Sequence, residues 1–216
     1  MQFERVVTAL ESALAGELPG LVGQLPMSPR PRRGWEPDHF PQDARDGGVL
    51  ILFYPGQLPS PGEATLLLTV RSHRLPNHAG QVSLPGGAVE RGESAEQAAL
   101  RETSEEIGVD PSRVTLLGGL TRLHVPVSRF VLHPFVGFVD GAPEHTADEA
   151  EVARVIELPL RRLMEPGRAA YELRGREPER FQVPFFEVDG EKVWGATAMV
   201  LSELLTLLGQ PPDPWS

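Results

Sequence analysis

The stretch Gly86–Val109 reads GGAVERGESAEQAALRETSEEIGV, and the rest of the chain is organised around it. Gly86 and Gly87 follow Pro85, which calls for a backbone turn and a close approach of main chain to a neighbour. Ser94, with Gln97 on the following turn, has the capping-box arrangement that satisfies orphan amides at a helix start. Ala95, Ala98, Ala99, Leu100 and Arg101 are good helix formers. Gly108 supplies the left-handed residue that stops the helix.

At about 100° per residue, Leu100, Thr103 and Ile107 are expected to form the buried stripe of that helix. Glu102, Glu105 and Glu106 are expected on the opposite side. Carboxylates this close repel one another, which raises each pKa. They also lie in the second half of the helix, where the macrodipole disfavours anions. A divalent cation among them removes the conflict, and an all-oxygen donor set favours Mg²⁺ or Mn²⁺ over zinc. Glu93 sits just ahead of the helix, at its positive end. Arg101 can reach back to Glu93 or forward to Glu105. The plain alternative is a solvated acidic face.

The wider spacing favours the metal platform. From Gly87 through Glu93 to the run Arg101-Glu102-Thr103-Ser104-Glu105-Glu106-Ile107-Gly108-Val109, the pattern closely resembles the Nudix box. Thr103 stands where that family usually carries a larger aliphatic residue. The resemblance implies an α/β fold, an α/β/α sandwich with a mixed sheet between helices, over roughly residues 45–209. Residues 1–44 are then an N-terminal helix and proline-rich extension of a single domain, 1–216. It also implies an enzyme that hydrolyses a nucleoside diphosphate linked to another group, with Mg²⁺ or Mn²⁺ as cofactor. Carried over, Glu102, Glu105 and Glu106 are the metal ligands, with a main-chain carbonyl near Gly86 or Gly87 as a further donor. Glu93 and Arg101 hold those ligands in place. The general base is left open: Glu105 or Glu106 ranks first, and Glu149 or Glu151 in the loop before Val152 second.

The loop upstream narrows the substrate. Leu67-Leu68-Thr69-Val70-Arg71-Ser72, then Gly80, then Leu84-Pro85-Gly86-Gly87 resembles the extra motif of the coenzyme A pyrophosphatase branch. Trp194-Gly195-Ala196-Thr197-Ala198 is similar to a second element of that branch. Pro76 replaces the usual Arg of the motif, and Leu84 the usual Phe. Arg71, Arg74 and His78 place fixed or switchable positive charge beside the acids, which suits a ligand with phosphate beyond its diphosphate. Ser72 and Gly80 complete the expected substrate loop. The resemblance thus implies cleavage of coenzyme A or its thioesters. An ADP-ribose, ADP-sugar or dinucleotide pyrophosphatase is the second enzymatic reading. A nucleotide-binding module without catalysis would be expected to lose box glutamates, and this chain keeps them.

Composition bounds the rest. A chain of 216 residues with 40% hydrophobic content is long enough for one sizeable core. A net charge of −10 argues against a general binder of nucleic acid or anionic membrane. Cysteine is absent, which rules out thiol catalysis and leans towards the cytoplasm. The N-terminus lacks a signal-peptide layout, and Val49–Tyr54, the longest apolar run, is too short to span a bilayer. The expected partner is a small nucleotide; a homodimer is left open.

Along the chain, Phe3, Val6, Val7, Leu10 and Leu14 predict an amphipathic helix over residues 2–15. Residues 17–47, broken by Pro19, Pro26, Pro29, Pro31, Pro37 and Pro41, read as an irregular wrap. Arg30, Arg32 and Arg33 cluster there, as a solvated loop before a phosphate contact. Strands are predicted over 48–54, 64–70, 114–120, 131–139, 170–174 and 181–188, with 192–194 beside the last pair; the polar run 149–154 leads into the stretch 155–160. His133 reads as a hydrogen-bonded strand residue. A short helix near 161–164 and a final helix over 197–208 complete the expectation.

Overall fold

The structure, a computed structural model, describes residues 1–32, 36, 39–57, 61–76, 78–176 and 179–215. The N-terminal helix α1 (Phe3–Leu14) is followed by a single helical turn, α2 (Leu21–Gln24). Strands β1 (Arg45–Pro55), β2 (Ala64–Arg71), β3 (Val82–Ser83) and β4 (Gly86–Ala88) lead into α3 (Ala95–Ile107). Then come β5 (Thr115–Gly119), β6 (Leu123–Val125), β7 (Phe130–Phe138) and β8 (Val152–Pro159). The chain closes with β9 (Ala169–Arg174), β10 (Phe181–Val188), β11 (Glu191–Trp194) and α4 (Gly195–Leu207).

Strands β3, β2, β1, β7 and β5 lie side by side in that order, with β8 also on β2, β4 on β1 and β6 on β7. The β1–β7 pair is parallel and the other pairs are antiparallel, so the sheet is mixed. A second sheet, β11-β10-β9, is antiparallel.

Period-two alternation along β1 sends its side chains into two cores. Leu50, Leu52 and Tyr54 join Leu67, Ala99 and Ile107 beneath α3. Ile51 and Phe53 face the other way, into a larger cluster that takes Phe3 and Leu10 from α1 and Leu201 and Leu204 from α4. Helices therefore cover both faces of the sheet, which is the expected α/β/α sandwich. Because the side chains from Leu50 to Tyr54 are wholly or almost wholly removed from water on one face or the other, this part of the strand reads as a continuous apolar run.

Most predicted elements appear within a few residues of their expected bounds. Three short strands were not foreseen: β3, β4 and β6. Among its described residues the wrap is irregular apart from α2, the 3₁₀ turn Leu25–Met27 and the start of β1. Of its basic cluster, Arg30 stacks on Trp215 and Arg32 donates to the His124 carbonyl at 2.8 Å. These contacts replace the solvated loop expected there; Arg33 lies outside the described residues. No helix among the described residues is long and apolar enough to cross a membrane.

Candidate active site

Helix α3 starts where its sequence says it should. The Gln97 N–H donates to Ser94 Oγ at 3.1 Å, and the Ser94 N–H donates to Gln97 Oε1 at 2.8 Å. Gly108 ends the helix with a left-handed φ of 74°. Thr103 is buried, and its hydroxyl donates to the Ala99 carbonyl at 2.6 Å, so the unusual residue leaves no polar group unsatisfied.

Gly86 and Gly87 form a strand rather than the expected turn, paired with Val49 and Gly48 of β1. The expected close approach is present. A Cβ on Gly87 would lie 2.3 Å from Glu102 Cδ, so the carboxylate occupies space that only glycine leaves open. On the partner strand, a Cβ on Gly48 would meet the Ala95 carbonyl oxygen of the same helix at 2.0 Å. The helix start thus sits directly on β1.

The three helix carboxylates occupy different environments. Glu105 is exposed, Glu102 is half-buried, and Glu106 is buried with 3% exposure. The expected single acidic face is therefore corrected: Glu106 shares the buried side with Ala99 and Thr103, while Leu100 is only partly covered. Glu106 Oε2 accepts from the Gly86 N–H at 3.2 Å, and its Oε1 lies 3.9 Å from Arg71 Nη1. Burial pushes the Glu106 pKa up to about 7 against the pull of Gly86 and Arg71, with Glu102 and Glu151 adding repulsion. Burial also raises Glu102, and the Arg101 guanidinium offsets only part of that.

Arg101 ties the site together. Its Nε and Nη2 grip Glu93 at 3.1 and 2.8 Å, a bidentate geometry that favours arginine over lysine. The same guanidinium donates to the Ala88 carbonyl at 3.1 Å, Glu102 at 3.1 Å and Glu105 at 2.9 Å. Glu93 in turn accepts from the Glu90 N–H at 2.7 Å. Its bond from Arg101, first, and then that backbone donor hold its pKa below the ordinary range. Strand β4, the loop after it and α3 are thereby cross-linked.

The second wall comes from the end of β2 and the loop before β8. The Ser72 N–H donates to the Glu151 carbonyl at 2.7 Å, and its hydroxyl to the Glu149 carbonyl at 3.4 Å. The Asp148 N–H donates to the Glu106 carbonyl at 2.9 Å, which docks this loop on the end of α3. Of the expected substrate residues, Arg71 reaches the acidic helix and Ser72 is buried beneath the Glu149–Glu151 loop. Arg74 and His78 are exposed; His78 Nδ1 pairs with Gln81 Oε1 at 2.9 Å. Gly80 closes the loop through its N–H to the Arg71 carbonyl at 3.0 Å. The Ala88 carbonyl as an Arg101 acceptor was not foreseen, because nothing in a Gly-Gly-Ala run marks one carbonyl. His133 is hydrogen-bonded as expected, with Nε2 2.7 Å from Asp46 Oδ1.

Glu102, Glu106 and Glu151 are mutually repelling oxygen donors, the donor chemistry that suits a hard divalent cation. Among the described residues no three acidic side chains already converge to enclose an ion. Arg101 meanwhile neutralises Glu102 and Glu105.

Residues 45–178 match the NUDIX domain. The uncharacterized Nudix hydrolase NudL of Escherichia coli strain K12 is 38% identical over 169 residues, 78% of this chain and 85% of that protein. NudL of Citrobacter koseri is 38% identical over 148 residues, covering 68% of this chain and 77% of its own. Among solved structures, a MutT/nudix family protein from Enterococcus faecalis superimposes with a TM-score of 0.52 at 18% identity, over 82% of this chain and 71% of its own. The MutT protein from Methanosarcina mazei Go1 gives 0.51 at 16% identity, over 77% and 95%. At those identities the likeness is one of fold alone. The domain match and the NudL relatives carry the assignment further: this chain belongs to the Nudix hydrolase family and is a pyrophosphatase enzyme of that family.

Proposed function

We propose that the enzyme hydrolyses the diphosphate bond of coenzyme A or its thioesters. The products are 4′-phosphopantetheine, or its acyl form, and adenosine 3′,5′-bisphosphate. The observation that supports this reading most is the approach of Arg71 Nη1 to Glu106 Oε1 at 3.9 Å. It brings the loop with the coenzyme A-type motif against the acidic helix. Arg71 Nε is buried without an acceptor, so the guanidinium has a donor to spare for a phosphoryl oxygen.

Nudix hydrolases use divalent metal cations, and in this reading Glu102, Glu105 and Glu106 would hold Mg²⁺ or Mn²⁺. Such an ion neutralises charge that develops on phosphoryl oxygens. The chain's own groups do the rest. Arg71 binds and orients phosphate, while Arg101 and Glu93 keep the helix carboxylates aimed. Water attacks one phosphorus, the bond to the bridging oxygen breaks, and a carboxylate takes the water's proton. Glu105 or Glu106 stands first for that step, and Glu149 or Glu151, on the loop docked to α3, second.

Incubation of the purified protein with coenzyme A and Mg²⁺, with products identified by mass, tests the assignment. Release of the two named products is the expected result. Faster turnover of ADP-ribose or NADH would overturn it in favour of an ADP-sugar or dinucleotide pyrophosphatase.

A further inference from the structure

Apart from the acidic helix, the structure holds an open cleft where the proline-rich wrap meets the β6–β7 turn. It encloses about 500 Å³, solvent mouth included, and is lined by Pro41, Asp43, Ala44, His124, Pro126 and Arg129. His124 also lines a smaller cavity, with Glu36, His39, Phe40 and Arg122.

His124 is 7% exposed, and its Nδ1 is buried with no hydrogen-bond partner. A buried imidazole nitrogen left unpaired costs free energy unless something arrives to satisfy it. The surroundings say what. Arg32 donates to the His124 carbonyl, Arg122 lies over the Phe40 ring at 4.5 Å, and Arg129 pairs with Asp43 at the cleft wall. Of these, Arg129 lines the cleft itself opposite Asp43, while Arg122 lines the neighbouring cavity that shares His124, in a chain of net charge −10. Burial, then Arg32 and His39, holds the His124 pKa below its ordinary value, so the ring is neutral and offers an N–H or a lone pair. Arg129 also sits at a left-handed φ of 56°, which costs free energy for a residue with a side chain. Glycine or asparagine would serve that turn more cheaply, so arginine there points to a use for its charge.

We propose that this cleft is a second phosphate site, in which His124 and Arg129 bind a phosphoryl group of a small molecule. Strand pairing places it laterally from the acidic helix: Leu123, Leu132, Gly47 and Ala88 form one row across β6, β7, β1 and β4. That row separates the cleft from β4 by roughly 14 Å, from three strand spacings. The proposal does not depend on the coenzyme A reading.

The test uses the full chain, isotopically labelled and held in EDTA at fixed pH, so that binding is read without turnover. Inorganic phosphate is titrated while the His124 imidazole resonances are followed by NMR. A saturable shift is expected, with binding weakened about tenfold by Arg129→Gly, the loss of one charged hydrogen bond. Glycine accepts the positive φ, and the exposed Asp43 pair contributes little, so this variant should melt no lower than wild type. An unmoved His124 resonance, or equal affinity in Arg129→Gly, overturns the site. Tighter binding of adenosine 3′,5′-bisphosphate than of 5′-AMP supports a nucleotide 3′-phosphate as the occupant. Equal shifts with inorganic phosphate alone support a separate phosphate effector.

Discussion

The Glu102 carboxylate lies where a Cβ on Gly87 would have to be, with Cδ 2.3 Å from that position. Gly87 is therefore a spacer for an acidic side chain, set on a strand that pairs with Gly48. Gly87→Ala should displace Glu102 while leaving β4 paired. A shift of about 1 Å in a positioned group can cost on the order of 100-fold in rate. Comparing kcat and far-UV circular dichroism of variant and wild type checks this. Full activity in a folded Gly87→Ala protein would show that Glu102 has room to move.

Arg101→Lys keeps the charge and loses the fork. One ammonium cannot hold both Glu93 oxygens and also reach the Ala88 carbonyl, Glu102 and Glu105. Turnover should fall by roughly 10- to 100-fold, as when groups that orient ligands are removed. The urea midpoint should also drop, because the loop over residues 89–94 loses its tie to α3. Steady-state kinetics and urea titration of the same preparation measure both.

Removal of the Arg71 side chain by Arg71→Ala should weaken substrate more than it slows chemistry. Loss of a charged hydrogen bond to phosphate corresponds to roughly a tenfold rise in KM or more. The metal-free variant should also be less stable, since buried Glu106 would lose its nearby cation. An unchanged KM for coenzyme A would count against the role of this loop.

A pH effect on stability follows from Glu63, far from the acidic helix. Burial pushes its pKa up, but hydrogen bonds from Arg161 and the Met1 ammonium outweigh that and leave it below the ordinary 4.5. A carboxylate with a lowered folded pKa adds stability above its unfolded pKa, and that stability is lost as pH falls through the folded value. Wild type should therefore exceed Glu63→Gln in urea midpoint near pH 7, with the gap closing below pH 4.5. A gap that stays constant into acid would mean that the charge contributes nothing.

Helix α3 was legible because its information is local. Ser94, Gln97 and Gly108 fix its ends within its own sequence, and the box spacing marks its acids. The burial of Glu106 was not. Its partners, the Gly86 N–H and Arg71, are supplied by other strands, so a helical projection alone treats it as one more exposed glutamate. Strand β4 was missed for a related reason. Gly86, Gly87 and Ala88 have little preference for extended structure, and only pairing with Gly47, Gly48 and Val49 makes them a strand. Ser72 looked like a ligand-facing residue, yet it is buried under the Glu149–Glu151 loop through contacts some 77 residues away. Local chemistry was readable; the meeting of distant segments was not.

In the proposed mechanism the α3 carboxylates hold the cation on which turnover depends. The most direct measurement of this is Mn²⁺ binding, read by electron paramagnetic resonance, in wild type and in Glu102→Gln/Glu106→Gln, alongside coenzyme A hydrolysis. The double variant should stay folded and lose Mn²⁺ binding and hydrolysis together. Undiminished Mn²⁺ affinity with retained turnover would contradict that mechanism.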